Sequence, residues 1–239
     1  MTGERASLCA VAIMAKASRP GMVKTRMVPP MTYEQAAALN TCFLSDIAAN
    51  IERAAGVAPI QGYAAYHPAG SEAFFETLLP PGFRLLPPRE AGIGRSLLHA
   101  SRDLLAAGYG SMCLVNSDSP TLPSEVLVEA QRKLAEPGDR VVLGPAIDGG
   151  YYLIGLKTFH VRLFEEIDWS TERVLRQTLE RAAEIGLETH LLRPWYDVDD
   201  AAAIALLRDE LSGRSGQFAG GSPAHHAAAF LRDLPRFTE

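Results

Sequence analysis

Seven short apolar runs, bounded by turn residues and separated by segments with apolar residues at helical spacing, limit what this chain can fold into more than any other feature. The runs at 8–15, 59–66, 83–86, 111–116, 140–143, 151–155 and 188–192 are too short for helices and rich enough in apolar residues to be buried strands. The intervening pattern predicts helices over 32–55, 71–79, 94–107, 123–135, 171–185 and 200–211. Strand and helix in alternation imply a mostly parallel sheet covered by helices, since a parallel pair needs a long crossover that a helix supplies. Thr32 with Gln35 forms a capping-box pattern, and Gly108 stands where the third helix should stop.

A length of 239 residues with 47% hydrophobic content supplies one large core, placed here in residues 1–211. The Gly- and Ser-rich segment SGRSGQFAGGSPAHH and the run AAAFLRDL read as a flexible linker and a short, peripheral terminal helix over 212–239. His225 and His226 are adjacent, so they do not share a helix face as a metal pair would. The formal net charge of -5 excludes sequence-independent nucleic-acid binding and leaves small anions, bound locally, as partners. Cys9, Cys42 and Cys113 lack metal-site spacing, and Cys9 and Cys113 lie inside apolar runs as packing residues. The first apolar run is shorter than the roughly 20 residues a membrane span requires, so a cytoplasmic location without a span is expected.

Against the net negative charge, KASRPGMVKTR gathers four cations directly after the first strand. Ligands of open α/β sheets sit beyond the carboxyl ends of strands, and this loop occupies that edge. Lysine offers phosphate a compact charge and arginine two parallel hydrogen bonds, while Gly21 allows backbone to approach a ligand. The loop is not a Walker A sequence, because Val23 precedes Lys24 where glycine is required. A phosphatase of the type whose nucleophilic DxD follows the first strand is also disfavoured, since Lys16 stands there.

Acidic residues recur at the same edge. NSDSPTLP places Asp118 at the end of the fourth strand, and WYDVDDAAA places Asp197, Asp199 and Asp200 after the last. In extended DVD, Asp197 and Asp199 point to one side, whereas Asp200 is suited to cap the next helix. Carboxylates crowded at one edge need a cation, and hard oxygen ligands suit Mg²⁺ or Mn²⁺. GPAIDGGYYLIGL adds Asp148 with Gly149 and Gly150 in a tight turn between strands, and DWST supplies Trp169, Ser170 and Thr171. If Ser170 and Thr171 open a helix, its free amides could receive a carboxylate or phosphate, which suits an anionic acceptor.

In that order, KASRPGMVKTR, NSDSPTLP, GPAIDGGYYLIGL, DWST and DVD resemble a bacterial family of GT-A-like nucleotide-diphospho-sugar transferases that includes arsenosugar-biosynthesis-type glycosyltransferases. The likeness covers about residues 8–211 and extends, more distantly, to phospholactate and phosphoenolpyruvate guanylyltransferases. It implies a three-layer α/β/α, Rossmann-like mixed sheet and a metal-dependent transferase using a nucleotide sugar or a nucleoside triphosphate with a small-molecule acceptor. It further implies that Lys16, Gly21, Lys24 and Arg26 meet donor phosphates, and that Asp118, Asp197 and Asp199 hold the divalent ion. Asp148, Gly149, Gly150, Trp169, Ser170 and Thr171 are implied on the acceptor side, with Asp148 and Asp118 as catalytic residues. The chain departs from the family at EAGIGRSLL, where Gly92, Arg95 and Ser96 replace an acidic residue and a Glu-Arg pair, and after DVD, where Asp200 and Ala201 replace Thr-Pro. Glycosyl transfer, nucleotidyl transfer with release of pyrophosphate, and nucleotide-sugar binding without catalysis all remain open from the sequence, as does the oligomeric state.

Overall fold

The computed structural model describes residues 5–89, 92–214 and 218–234. Each expected apolar run forms a strand: β1 (Cys9–Lys16), β2 (Ile60–His67), β3 (Arg84–Leu86), β4 (Ser111–Val115), β5 (Arg140–Pro145), β6 (Tyr151–Leu156) and β7 (Glu188–Leu191). They make one sheet in the order β3-β2-β1-β4-β6-β5-β7. Only β6 runs antiparallel to its neighbours. The physical reason is the short turn that joins it to β5, which can close a hairpin but cannot carry a crossover.

Helices α1 (Tyr33–Ala55), α2 (Glu72–Leu78), α3 (Ile93–Ala106), α4 (Ser124–Ala135), α5 (Val174–Glu184), α6 (Ala201–Leu211) and α7 (His225–Asp233) cover both faces. Alternation along β1 sends Val11 and Ile13 to a core with Phe43, Ile47 and Ile204, and Ala10 and Ala12 to a second core with Leu97 and Leu104. Three layers result. The expected capping box is present: Thr32 Oγ1 accepts from Gln35 N at 3.2 Å, and Gln35 Oε1 accepts from Thr32 N at 2.9 Å. Gly108 follows α3 with φ +89°, a backbone setting that costs glycine little. Cys9 and Cys113 are buried, as expected of packing residues.

Two expectations need correction. First, α5 begins at Val174 rather than at Thr171. Ser170 takes φ +63°, and Thr171 Oγ1 donates to Asp168 O at 2.7 Å, so this stretch forms a turn instead of a helical start. Second, the described part of the C-terminal tail is docked and not peripheral. Phe218 packs its ring 5.3 Å from Trp195 and 4.7 Å from Tyr196. Ser222 Oγ accepts from Ser124 N at 3.3 Å, capping α4 where Pro123 has no side-chain cap to offer. Asp46 in α1 accepts from the amides of His226 at 2.9 Å and Ala227 at 2.8 Å. Composition suggested a connector, but aromatic burial and backbone hydrogen bonds hold the segment down. Among the described residues, no helix is long and apolar enough to cross a membrane.

Candidate active site

The carboxyl ends of β1, β4, β5 and β7 and the start of β6 lie along one edge of the sheet, and the basic and acidic loops meet there. Lys24 adopts a left-handed backbone conformation, φ 49°, which for a residue with a side chain costs about 1 kcal/mol. Its side chain, 6% exposed, reaches Asp118 Oδ2 at 2.9 Å, Asp199 Oδ1 at 2.7 Å and Val198 O at 2.9 Å. All three ammonium protons thus have acceptors. Arg26 pairs with the other oxygen of Asp199 while its guanidinium stays largely in solvent. Val198 N donates to Asp118 O at 2.8 Å, tying the DVD segment to the loop after β4.

Val198 is fully buried between Asp197 and Asp199, so both carboxylates face outward as the extended pattern requires. Asp200 caps α6, accepting from Ala203 N at 2.9 Å. One carboxylate oxygen from each of Asp118, Asp197 and Asp199 lies within 4.8 Å of the others. Their environments differ. Burial raises the Asp199 carboxyl, but Lys24 and Arg26 outweigh it and hold the pKa below the ordinary value. Burial and neighbouring Asp199 raise Asp118 despite Lys24. Burial alone would lower the Lys24 ammonium, yet Asp118 and Asp199 keep it above the usual lysine value. Asp197 pairs with no cation among the described residues; burial, then Asp118, Asp148 and Asp199, push it up to about 7.

This donor set fits a hard divalent cation. Four carboxylates, Asp118, Asp148, Asp197 and Asp199, face two cations, Lys24 and Arg26, which leaves two formal negative charges. All the candidate donor atoms are oxygens, the preference of Mg²⁺ and Mn²⁺.

Two adjoining cavities open on this edge and share Met14 and Ile93. The smaller, about 390 Å³, lies over the ends of β1, β2 and β3, with Lys16, His67 and Leu86–Pro88 in its wall. The larger, about 600 Å³, contains the acidic trio, Asp148, Gly150, Trp169, Ser170 and Thr171. Lys16 is exposed on the small cavity, whereas exposed Gly21, φ +74°, lines neither. Asp148 Oδ1 accepts from Gly150 N at 2.8 Å.

Gly149 does not line the large cavity. A Cβ there would sit 2.2 Å from Glu172 O, and Gly149 O accepts from Leu175 N at 3.0 Å, so this glycine clamps the start of α5. Trp169 lies against Gly94, where a Cβ would come within 2.2 Å of the indole Nε1. The indole therefore both packs on α3 and forms a cavity wall. The sequence did not single out Asn116, Tyr151 or Glu172, all in the large cavity, or His67 and Leu86 in the small one. Asn116, His67 and Leu86 stand at strand ends on the same edge as Asp118, and that position was the available signal.

A family model described as "Uncharacterized protein conserved in bacteria (DUF2064)" matches residues 50–171, half of the chain. The matched span contains Asp118, Asp148 and Trp169 but not the basic loop or DVD. A search of curated proteins finds no match. Among solved structures, a "putative nucleotide-diphospho-sugar transferase" from Desulfovibrio desulfuricans G20 is 28% identical, with a TM-score of 0.80 over 94% of each chain. A nucleotidyl transferase from Methanothermobacter is 14% identical, TM-score 0.56, over 87% of this chain and 99% of its own. CMP:2-keto-3-deoxy-manno-octonic acid synthetase complexed with CTP is 11% identical, TM-score 0.53, over 87% and 100%. The last two likenesses are of fold alone, and the fold is that of the nucleotide-diphospho-sugar transferases.

Proposed function

The chain belongs to the bacterial DUF2064 family, and on that premise we propose that it is a metal-dependent transferase that moves a glycosyl group from a nucleotide-activated donor to a small acceptor. One observation carries the reading: three converging carboxylates, two of them held by a buried lysine, stand beside two adjoining cavities. The small cavity takes the donor nucleoside and the large one the transferred group and the acceptor. Lys16 and Arg26 serve the donor phosphates, whereas Gly21, outside both cavities, is not assigned to them. Lys24 has its protons committed to Asp118, Asp199 and Val198 and acts as the fixed counter-ion that keeps the carboxylates together.

Asp118, Asp197 and Asp199 would hold Mg²⁺ or Mn²⁺, which when bound offsets the charge that grows on the phosphates. An acceptor hydroxyl oxygen attacks the anomeric carbon and forms the new C–O bond. The bond from that carbon to the β-phosphate oxygen breaks, its electron pair leaving with the nucleoside diphosphate, and Asp148 takes the hydroxyl proton. A second reading, attack at the α-phosphorus with release of pyrophosphate, draws support from the Methanothermobacter and CTP-bound relatives of like fold.

Thermal-shift measurements with nucleoside di- and triphosphates and sugar nucleotides, with and without Mn²⁺, test the proposal. The expected result is stabilisation by one donor only when metal is present, abolished in Asp197→Asn. Metal-independent stabilisation, or none with any donor, would overturn it. Nucleoside diphosphate as product supports glycosyl transfer, pyrophosphate the second reading, and binding without turnover a sensor.

A further inference from the structure

The large cavity is unusual in how its polar atoms are distributed. Asp118, Asp148, Glu172, Asp197 and Asp199 are among its lining residues, and Arg26 is the one cation among the described lining residues. That arginine is already paired with Asp199. Asn116 Oδ1 lies buried in the same wall with no hydrogen-bond partner, a further acceptor. Thr171 Oγ1 spends its proton on Asp168 O at 2.7 Å. Two amides at the start of α5 are occupied as well: Val174 N donates to Thr171 O and Leu175 N to Gly149 O. The wall is thus rich in acceptors and negative, with the buried, unpartnered Tyr151 hydroxyl as a donor that a sugar hydroxyl can also meet.

The charge balance points the same way. Five carboxylates against Lys24 and Arg26 leave three negative charges, and a bound divalent ion still leaves one. A phosphorylated or carboxylated acceptor would enter against like charge. The rest of the lining is apolar or aromatic: Met14, Ile93, Leu97, Leu114 and the half-buried Trp169. A sugar ring meets such a wall with its C–H face, and an ammonium group meets the indole and the carboxylates favourably.

We infer that the acceptor bound in the large cavity is a neutral or cationic polyol, such as a sugar or amino sugar, and not a phosphate or carboxylate. This refines the transferase reading above, on which it rests, and reverses the sequence expectation of an anionic acceptor.

The protein has two tryptophans, of which Trp195 is 1% exposed, so Trp169 fluorescence reports on the cavity. Titration of the full chain with Mn²⁺ present compares D-glucosamine, methyl β-D-glucoside and glucose 6-phosphate. Glucosamine and the glucoside are expected to change the emission with a Kd about ten-fold or more below that of glucose 6-phosphate. The signal should vanish in Trp169→Phe, and Glu172→Gln should narrow the preference of the wild type for glucosamine over glucose 6-phosphate. Glucose 6-phosphate binding as tightly as glucosamine, a response that survives Trp169→Phe, or no response to either uncharged or cationic sugar would overturn the inference. Donor stabilisation in the thermal-shift experiment is read separately, so failure of the transferase reading and failure of the acceptor class are distinguishable.

Discussion

The mouth of the crevice and the seat of the C-terminal helix each bury aspartates, and they treat them in opposite ways. Asp46, 3% exposed, has both oxygens satisfied by the first amides of α7, an arrangement that also favours the helix dipole. Burial still raises its pKa, with those amides acting against the rise. At the mouth, Asp118 and Asp199 share one lysine, and Asp197 is left among like charges with its pKa pushed up to about 7. A satisfied carboxylate in a dry seat is an element of stability. Crowded carboxylates at an open edge cost stability and keep a site ready for a cation.

That contrast can be broken most directly at its centre. Lys24→Met leaves partly buried Asp118 without a counter-ion and Asp199 with Arg26 alone, and should lower unfolding free energy by about 4 kcal/mol, read from urea denaturation. Unchanged stability would mean the pairs do not hold the mouth together. Phe218→Ala removes the ring that packs on Trp195 and Tyr196, the two residues before Asp197, and should cost about 3 kcal/mol. It should also weaken the metal-dependent donor shift, because the DVD segment loses its backing. Asp46→Ala strips the α7 amides of their acceptor and should cost about 2 kcal/mol while leaving that shift intact; a lost shift would show the two regions to be coupled.

The smallest effect sharpens the comparison by pH. With metal chelated, Asp197 binds its proton up to about pH 7 in the folded protein, whereas in the unfolded chain it releases it near the ordinary aspartate value of 3.8. Between those values the folded state holds more protons, so stability falls as pH rises and the loss is complete above about 7. Asp197→Asn should flatten this part of the profile of unfolding midpoint against pH, and an identical profile would remove Asp197 as its source.

Much of the fold was legible because its signals are local. The seven apolar runs, the Thr32 capping box and the Asp200 cap depend on residues within a few positions of one another. The mouth was legible in part, since the strand-end rule drew attention to Lys24, Asp118 and Asp199. The same rule applied to Asn116 and His67 would have found more of the two cavities. It could not have shown that Gly149 faces Glu172, or that the turn at Ser170 delays α5, because both depend on where a neighbouring loop lies.

By itself, then, the sequence determined the alternation of strands and helices, the edge at which charge collects, and which aspartates of DVD face outward, all consequences of short-range periodicity. The tertiary structure decided that Lys24 neutralises Asp118 and Asp199, 94 and 175 residues away, and leaves Asp197 unpaired. It also decided that a Gly- and Ser-rich tail packs behind that site. Electrostatic pairing and packing depend on distances in space, and spacing along the chain carries no record of them.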